Sequence, residues 1–255
     1  MKTILQIKNV QKVYGQRSNI FTALHGINME IQEGELVGIM GPSGAGKTTL
    51  LNIISTIDKP TTGTITVDGD NIVIMPENQL SAFRRDKLGF IFQDYNLLDT
   101  LTLKENIILP LTLAEVNYQE IEQRVKEIAR MLTITDLLDK FPYQVSGGQK
   151  QRAAAARAMI NKPKLVLADE PTGNLDSKSA TELLNCLRLL NESHHVTILL
   201  VTHDAFAASY CQRILFIKDG EIFSELVKGR VSRKDFFHKI LDVLAVLGGD
   251  QNDLI

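Results

Sequence analysis

Two cysteines, Cys186 and Cys211, are all that the 255-residue sequence contains. A small secreted domain held by disulfides needs more of them, more closely spaced. Both are therefore read as reduced thiols of a cytosolic protein. No Cys/His cluster has zinc-ligand spacing. No run reaches the roughly 18 consecutive apolar residues of a membrane-spanning helix, so any channel must come from another chain. The opening Met1-Lys2-Thr3-Ile4-Leu5-Gln6 lacks the apolar stretch of a signal peptide, and none is expected. Basic charge is not in excess either. Lys and Arg number 28 against 30 Asp and Glu, a net charge of −2, with no Lys/Arg stripe. Nucleic acid is therefore not an expected partner. Internal repeats and low-complexity segments are missing too.

What is present is ordinary globular composition, with 44% apolar and 23% charged residues. Roughly three quarters of the unfolded surface can be buried at this size, enough for a substantial core. Leu5-Gln6-Ile7-Lys8-Asn9-Val10 and Ile27-Asn28-Met29-Glu30-Ile31 alternate with period two, as half-buried strands do. Gly63-Thr64-Ile65-Thr66-Val67 is a further strand running into an Asp68-Gly69 turn. These predict a β-rich N-terminal layer. Leu36-Val37-Gly38-Ile39-Met40, Leu165-Val166-Leu167-Ala168 and Thr197-Ile198-Leu199-Leu200-Val201 are instead continuously apolar, as strands buried on both faces are. Helical segments separate them, which implies a parallel sheet covered by helices.

From about Asp94 to Ile160 no such strand occurs. Ile121, Val125, Ile128, Ala129 and Leu132 recur at helical spacing, and an all-helical insertion is predicted. Leu215 to Phe223 reads as a hairpin turning at Asp219-Gly220. Beyond Lys228, the residues Phe236, Phe237, Ile240, Leu241 and Leu244 form an apolar stripe, read as a helix packed on its own domain.

Gly41-Pro42-Ser43-Gly44-Ala45-Gly46-Lys47-Thr48 fits the phosphate-loop pattern GxxxxGK(S/T), with a buried strand before it and a helix after it. Glycines let backbone N–H groups curl around phosphate oxygens, and the following helix presents its positive end to the same anion. Lys47 is expected on the β- and γ-phosphates and Thr48 on Mg2+. Asp169 and Glu170 close an apolar strand at the end where parallel sheets bind ligands. Asp169 suits Mg2+ contact, and Glu170 suits orienting and deprotonating water. Ser146 is a good helix cap ahead of Gly147-Gly148-Gln149, and the two glycines leave N–H groups for a second anion site. The alanine-rich helix that follows carries Gln151, Arg152 and Arg157.

Over about residues 4 to 226 the sequence resembles the ATP-binding subunits of ABC transporters. Val145-Ser146-Gly147-Gly148-Gln149 resembles the family signature, with Val145 where Leu is usual. The resemblance makes Tyr14 the residue that stacks on adenine and Gln93 the glutamine that senses Mg2+ and couples to the membrane subunit. It makes Asn174-Leu175-Asp176 the loop between paired sites and His203 the contact to the γ-phosphate. It implies a P-loop NTPase α/β core with an antiparallel β layer (1–93 and 161–227), a helical subdomain (94–160) and a C-terminal helical extension (228–255). ATP and Mg2+ are the implied cofactors. The nucleotide set is Tyr14, Gly41, Pro42, Ser43, Gly44, Ala45, Gly46, Lys47, Thr48, Thr49, Gln93, Ser146, Gly147, Gly148, Gln149 and Asp176. The metal set is Thr48, Gln93 and Asp169, and the catalytic set is Glu170, His203 and Lys47.

The implied partners are a second copy of the chain, joined head to tail when ATP binds, and an integral membrane permease. The helical insertion and the segment around Gln93 are expected to receive a cytoplasmic helix of that permease, which places the chain on the inner face of the cell membrane. Phe90 to Leu101 and the tail from Phe236 to Gly249 resemble the bacitracin- and lantibiotic-resistance exporters of Gram-positive bacteria, and a sensor kinase reached through the permease is a further candidate partner. The alternatives are a lipoprotein-release or macrolide-export ATPase, or a non-transport ABC ATPase.

Overall fold

The computed structural model describes residues 2–15 and 19–248. In chain order the elements are β1 (Thr3–Tyr14), β2 (Phe21–Gln32), β3 (Leu36–Met40), α1 (Lys47–Ile54), β4 (Thr62–Val67), β5 (Asp70–Asn71), α2 (Glu77–Lys87) and β6 (Leu88–Ile91). Then come α3 (Leu103–Leu113), α4 (Tyr118–Met131), two single 3-10 turns, α5 (Gly147–Met159), β7 (Leu165–Asp169), α6 (Ser177–His194) and β8 (Ile198–Val201). The chain ends in α7 (Ala205–Ala208), β9 (Arg213–Lys218), β10 (Glu221–Val227) and α8 (Arg233–Gly248). The segment 249–255 of the expected C-terminal extension, Gly249 included, lies outside the described residues, as do Met1 and 16–18. The chain divides into two units, Met1–Met75 with Leu199–Ile255, and Pro76–Ile198.

The first unit holds an antiparallel sheet in the order β2-β1-β4-β5. Its register shifts at several points along β1. The β1–β2 register shifts between Ile7 and Val10, and Asn9 takes a positive φ of 47° there. This bulge keeps Ile7 and Val10 both fully buried although they lie three residues apart. The same unit holds strands ordered β10-β9-β3-β8. β3 pairs in parallel with β9, and all five of its residues are buried. Gly38 allows close packing there, since a Cβ on it would lie 3.1 Å from Cys211 Sγ. Cys211 and Cys186 are free thiols. Complete burial pushes the Cys211 thiol up to about 12, so it stays protonated and inert.

The β9–β10 hairpin turns at Asp219 (φ 49°) and Gly220 (φ 77°), the left-handed pair that matches strand twist. In α8, Phe236 and Ile240 are fully buried and Leu247 nearly so. The Arg233 guanidinium lies over the rings of Phe206 and Tyr210, at 5.1 and 4.5 Å from their centroids. The helix therefore packs on its own unit. Leu241 does not share that face. It is 40% exposed, because the buried positions step 236, 240, 247 and place 241 round the side.

The second unit pairs β6 with β7 in parallel, and Val166 N donates to Thr197 O on the chain entering β8. Its stretch from 94 to 160 holds α3, α4, the 3-10 turns and α5, with no strand among the described residues. Asn117 caps α4, whose Ile121, Val125, Ile128 and Ala129 point inward. Burying the Ile and Val side chains stabilises by about 1.5–3 kcal/mol each. Gly89 lets β6 approach α5, since a Cβ there would sit 2.2 Å from Ala158 O.

Candidate active site

The loop between β3 and α1 leaves no room for side chains at two of its glycines. A Cβ on Gly41 would lie 2.1 Å from Ile217 O, and one on Gly46 (φ 98°) 2.7 Å from Ala23 O. Gly44 (φ 80°) has nothing within 4 Å, so there glycine serves conformation alone. The loop rests on the β9–β10 turn. Gly220 N donates to Ala45 O at 3.2 Å, and His25 N donates to Gly220 O at 2.8 Å. Lys47 Nζ donates to Gly41 O (2.8 Å) and Pro42 O (2.9 Å), which sets its ammonium over the loop's own carbonyls. Lys47, Thr48 and Thr49 form the first turn of α1, and no side chain caps the N-terminus of that helix. Glycine curvature, a cation held over it and uncapped helix N–H groups together fit a polyphosphate.

Tyr14 ends β1 and is 38% exposed. Its hydroxyl donates to Asp58 Oδ2 at 2.7 Å and is hydrogen-bonded by the Thr49 side chain, which ties it to α1. Lys12 Nζ lies 4.6 Å from the Tyr14 ring centroid and donates to Asp58 Oδ1 at 2.6 Å. Burial works against the Asp58 carboxylate, but hydrogen bonds from Lys12, Tyr14 and the Lys59 N–H outweigh it and hold the carboxyl below its usual range. The Tyr14 phenol is pushed up, first by burial and then by Asp58. His203, exposed, follows β8. Thr202 N donates to Ile39 O at 3.1 Å, so His203 leaves the sheet at the same strand ends as Gly41. Asp204 caps α7. The first unit thus gathers Tyr14, the 41–49 loop and His203.

The second unit gathers the other set. Asp169 ends β7, and Glu170 follows in a left-handed conformation (φ 44°). Such backbone is rare outside glycine and aims the side chain of Glu170 away from the line of the strand. Gln93, after β6, donates from Nε2 to Asn174 Oδ1 at 3.2 Å. Asn174 Nδ2 donates back to Gln93 O at 3.3 Å and to Asp94 Oδ1 at 2.9 Å. Asp176 caps α6, accepting from Lys178 N (3.0 Å), Ser179 N (2.9 Å) and Ser179 Oγ (2.8 Å), and these bonds, with Ser179 first, hold its carboxyl low.

Ser146 caps α5 through a reciprocal box: Gln149 N donates to Ser146 Oγ at 3.3 Å and Ser146 N to Gln149 Oε1 at 2.9 Å. The glycine pair carries a steric duty alongside the N–H role read from the sequence. A Cβ on Gly147 would lie 2.8 Å from the Tyr95 hydroxyl, and one on Gly148 2.6 Å from Ser179 Oγ. Among the described residues, no group of three or more His, Cys, Asp and Glu converges as metal ligands. The side chains of Thr48, Gln93 and Asp169 each offer an oxygen donor, the kind a hard cation such as Mg2+ takes.

Residues outside the expected set also shape this unit. Gln151 Nε2 donates to Phe92 O and Pro171 O, and Arg157 donates to Tyr95 O at 2.9 Å and to Asn96 O. Tyr95 and Asn96 both have positive φ. The available signal was polarity: glutamine and arginine inside an alanine-rich buried helix need partners.

The family model described as ABC transporter matches residues 24–173, more than half of the chain. The chain is an ATP-hydrolysing subunit of the ABC transporter family. This ABC ATPase is 54% identical over 255 residues to the ABC transporter ATP-binding protein YxdL of Bacillus subtilis, covering 100% of this chain and 98% of that one. It is 52% identical over 250 residues to the bacitracin export ATP-binding protein BceA of Halalkalibacterium halodurans, covering 98% and 99%. A dimeric ATP-binding cassette of Methanocaldococcus jannaschii, solved in a post-hydrolysis state with ADP and Pi, matches the ABC fold with a TM-score of 0.80 at 42% identity, covering 88% of this chain and 98% of that chain.

Proposed function

We propose that two copies of the chain close head to tail on two ATP molecules and drive a membrane permease that protects the cell from peptide antibiotics of the bacitracin and lantibiotic type. The loop at 41–46 and Lys47 of one copy hold the phosphates, and the Ser146–Gln149 helix start of its twin covers the γ-phosphate. A closed twofold pair makes both sites equivalent. Tyr14 stacks on adenine. His203 contacts the γ-phosphate, and Asp176 sits in the loop joining the paired sites. Mg2+, held by Thr48, Gln93 and Asp169, supplies charge neutralisation on the phosphates when bound. Glu170 orients the attacking water and takes its proton. Gln93 and the helices of 94–160 receive a cytoplasmic helix of the permease, on the inner face of the cell membrane.

The observation that carries the antibiotic assignment is the extent of the match to BceA. An alignment of 250 residues takes in most of the segment beyond 227, whereas the macrolide export protein MacB of Campylobacter jejuni aligns over 228 residues. The tail that forms α8 is therefore part of what the chain shares with the bacitracin exporter. This favours peptide resistance over the macrolide-export alternative. A link through the permease to a sensor kinase belongs to the same reading.

The test is resistance in a sensitive host expressing the chain with its neighbouring permease. The wild-type pair is expected to raise the inhibitory concentration of bacitracin or a lantibiotic, and the Glu170→Gln pair is not. Unchanged sensitivity to both classes with the wild-type pair overturns the substrate assignment.

A further inference from the structure

The reaction proposed above needs Gln93 and Glu170 to hold a fixed geometry, yet they follow two different strands. One side chain touches both strand exits. Gln151, on α5, is fully buried. Its Nε2 donates to Phe92 O at 2.9 Å and to Pro171 O at 2.8 Å. Phe92 immediately precedes Gln93, and Pro171 immediately follows Glu170. Both hydrogens of the amide are spent on these carbonyls. The orientation is fixed, because the reverse would set Oε1 against two carbonyl oxygens. Oε1 is itself buried and has no hydrogen-bond partner among the described residues. A buried amide that leaves its oxygen unpaired for two donor contacts is an expensive way merely to fill space.

The helix it belongs to is the one that begins at Ser146. On the other side of the pair, Gln93 and Asn174 exchange hydrogen bonds across the same two loops. Asn174 does so at their exposed ends, where water competes. Gln151 does so at their buried roots, where it does not.

We infer that Gln151 is a positioning residue for hydrolysis: it locks the chain just before Gln93 to the chain just after Glu170, and ties both to the helix that begins at Ser146. The inference rests on the roles proposed for Gln93 and Glu170. Gln151 itself makes no contact with nucleotide in this scheme. Its loss leaves the phosphate loop, and hence ATP binding, untouched, and lets the water-orienting carboxylate drift. A misplacement on the scale of 1 Å costs up to about 100-fold in rate.

Two variants of the full-length chain test this. Gln151→Met keeps the volume and removes both donors. It is expected to bind ATP within about threefold of wild type and to hydrolyse it roughly 10- to 100-fold more slowly. Gln151→Glu keeps the shape but turns oxygen toward two oxygens. Burial raises such a carboxyl's pKa, and once protonated it donates one O–H, restoring one of the two bonds. Its hydrolysis rate relative to wild type is expected to climb as pH falls from about 8 to about 6, while that of Gln151→Met stays flat. The titratable groups on the joined segments (Asp94, Asp169 and Glu170, with Arg152 and Arg157 on α5) are unchanged in both variants, so normalising to wild type removes their own titration.

Wild-type turnover in Gln151→Met overturns the inference. So does a parallel loss of ATP affinity and rate together with a lowered melting temperature, the mark of a merely structural pin. If Gln151→Met does not fold, Gln151→Glu decides alone, and a pH profile parallel to wild type overturns the inference. Glu170→Gln run alongside separates the two claims: wild-type turnover there overturns both, whereas wild-type turnover in the Gln151 variants alone removes only the role of Gln151.

Discussion

The turn after β3 is packed against its surroundings by backbone, with the Lys47 ammonium on its own carbonyls. Gly41 presses on Ile217 O, Gly46 on Ala23 O, and Ala45 O is bonded by Gly220 N. The turn after β7 has backbone bonds within itself, Gly173 N to Glu170 O and Leu175 N to Thr172 O, but is tied to its surroundings by side chains: Gln151 at Pro171, Gln93 at Asn174, and Asp176 on its own following helix. Backbone contacts of this kind admit no alternative, since any Cβ collides. Side-chain contacts can be exchanged for others at a cost near 1 kcal/mol each. The first arrangement suits a surface that must grip the same phosphates in every state. The second suits the roles proposed for Glu170 and Gln93, whose side chains would answer to nucleotide and partner.

Four experiments break or sharpen that contrast, ordered by the size of the effect. Glu170→Gln is expected to keep ATP bound while slowing phosphate release by about 10²- to 10⁴-fold. Release within tenfold of wild type ends the role of the side-chain-held turn in chemistry. Lys47→Ala is expected to weaken ATP binding at least tenfold, about 1.4 kcal/mol or more, and unchanged affinity by calorimetry removes Lys47 from the cradle. The glycine series comes third. Gly41→Ala and Gly46→Ala are each expected to destabilise by about 1–3 kcal/mol in thermal melts, against about 1 kcal/mol for Gly44→Ala, where only φ is strained. Equal losses at all three positions refute the claim that close approach, rather than conformation, governs Gly41 and Gly46.

The smallest effect lies at Tyr14. Tyr14→Phe keeps the ring and loses the bond to Asp58, so ATP affinity is expected to stay within about twofold and stability to fall by less than about 1 kcal/mol at pH 7. Asp58 has a folded pKa below its unfolded one. Its contribution is therefore complete above the ordinary carboxylate value of about 4 and is lost as pH falls through the folded value. Urea unfolding should show the Tyr14→Phe deficit shrinking below about pH 4 and constant from pH 6 to 8. A deficit that grows on acidification contradicts the bond to an ionised Asp58.

Much of the first unit was legible in the sequence because its signals are local. An apolar run, a glycine pattern and an Asp-Gly turn each lie within a few consecutive residues. The structure adds causes that are not local: Gly41 and Gly46 answer to carbonyls of Ile217 and Ala23, far along the chain. The strand β6 and the helix α2 were not legible. α2 buries only Leu80 and Phe83, too sparse a stripe to read. Leu241 was read into the apolar stripe of the tail, and the helical phase set by Phe236 and Ile240 puts it outside. Gln151 stood in view as a polar residue in an alanine-rich helix, but its two acceptors come from segments on either side of it in the chain, and no spacing rule joins them.

Gly220 belongs to no nucleotide motif, yet its Cα fills the space beside Gly46 and its own φ of 77° excludes a side chain that would reach Ala23 O at 2.7 Å. The platform beneath the phosphates is thus assembled from three stretches that meet only after folding. An inherited or engineered lesion in the hairpin at 219–220 would present as faulty ATP capture, and a survey confined to the recognised motifs would pass over its source.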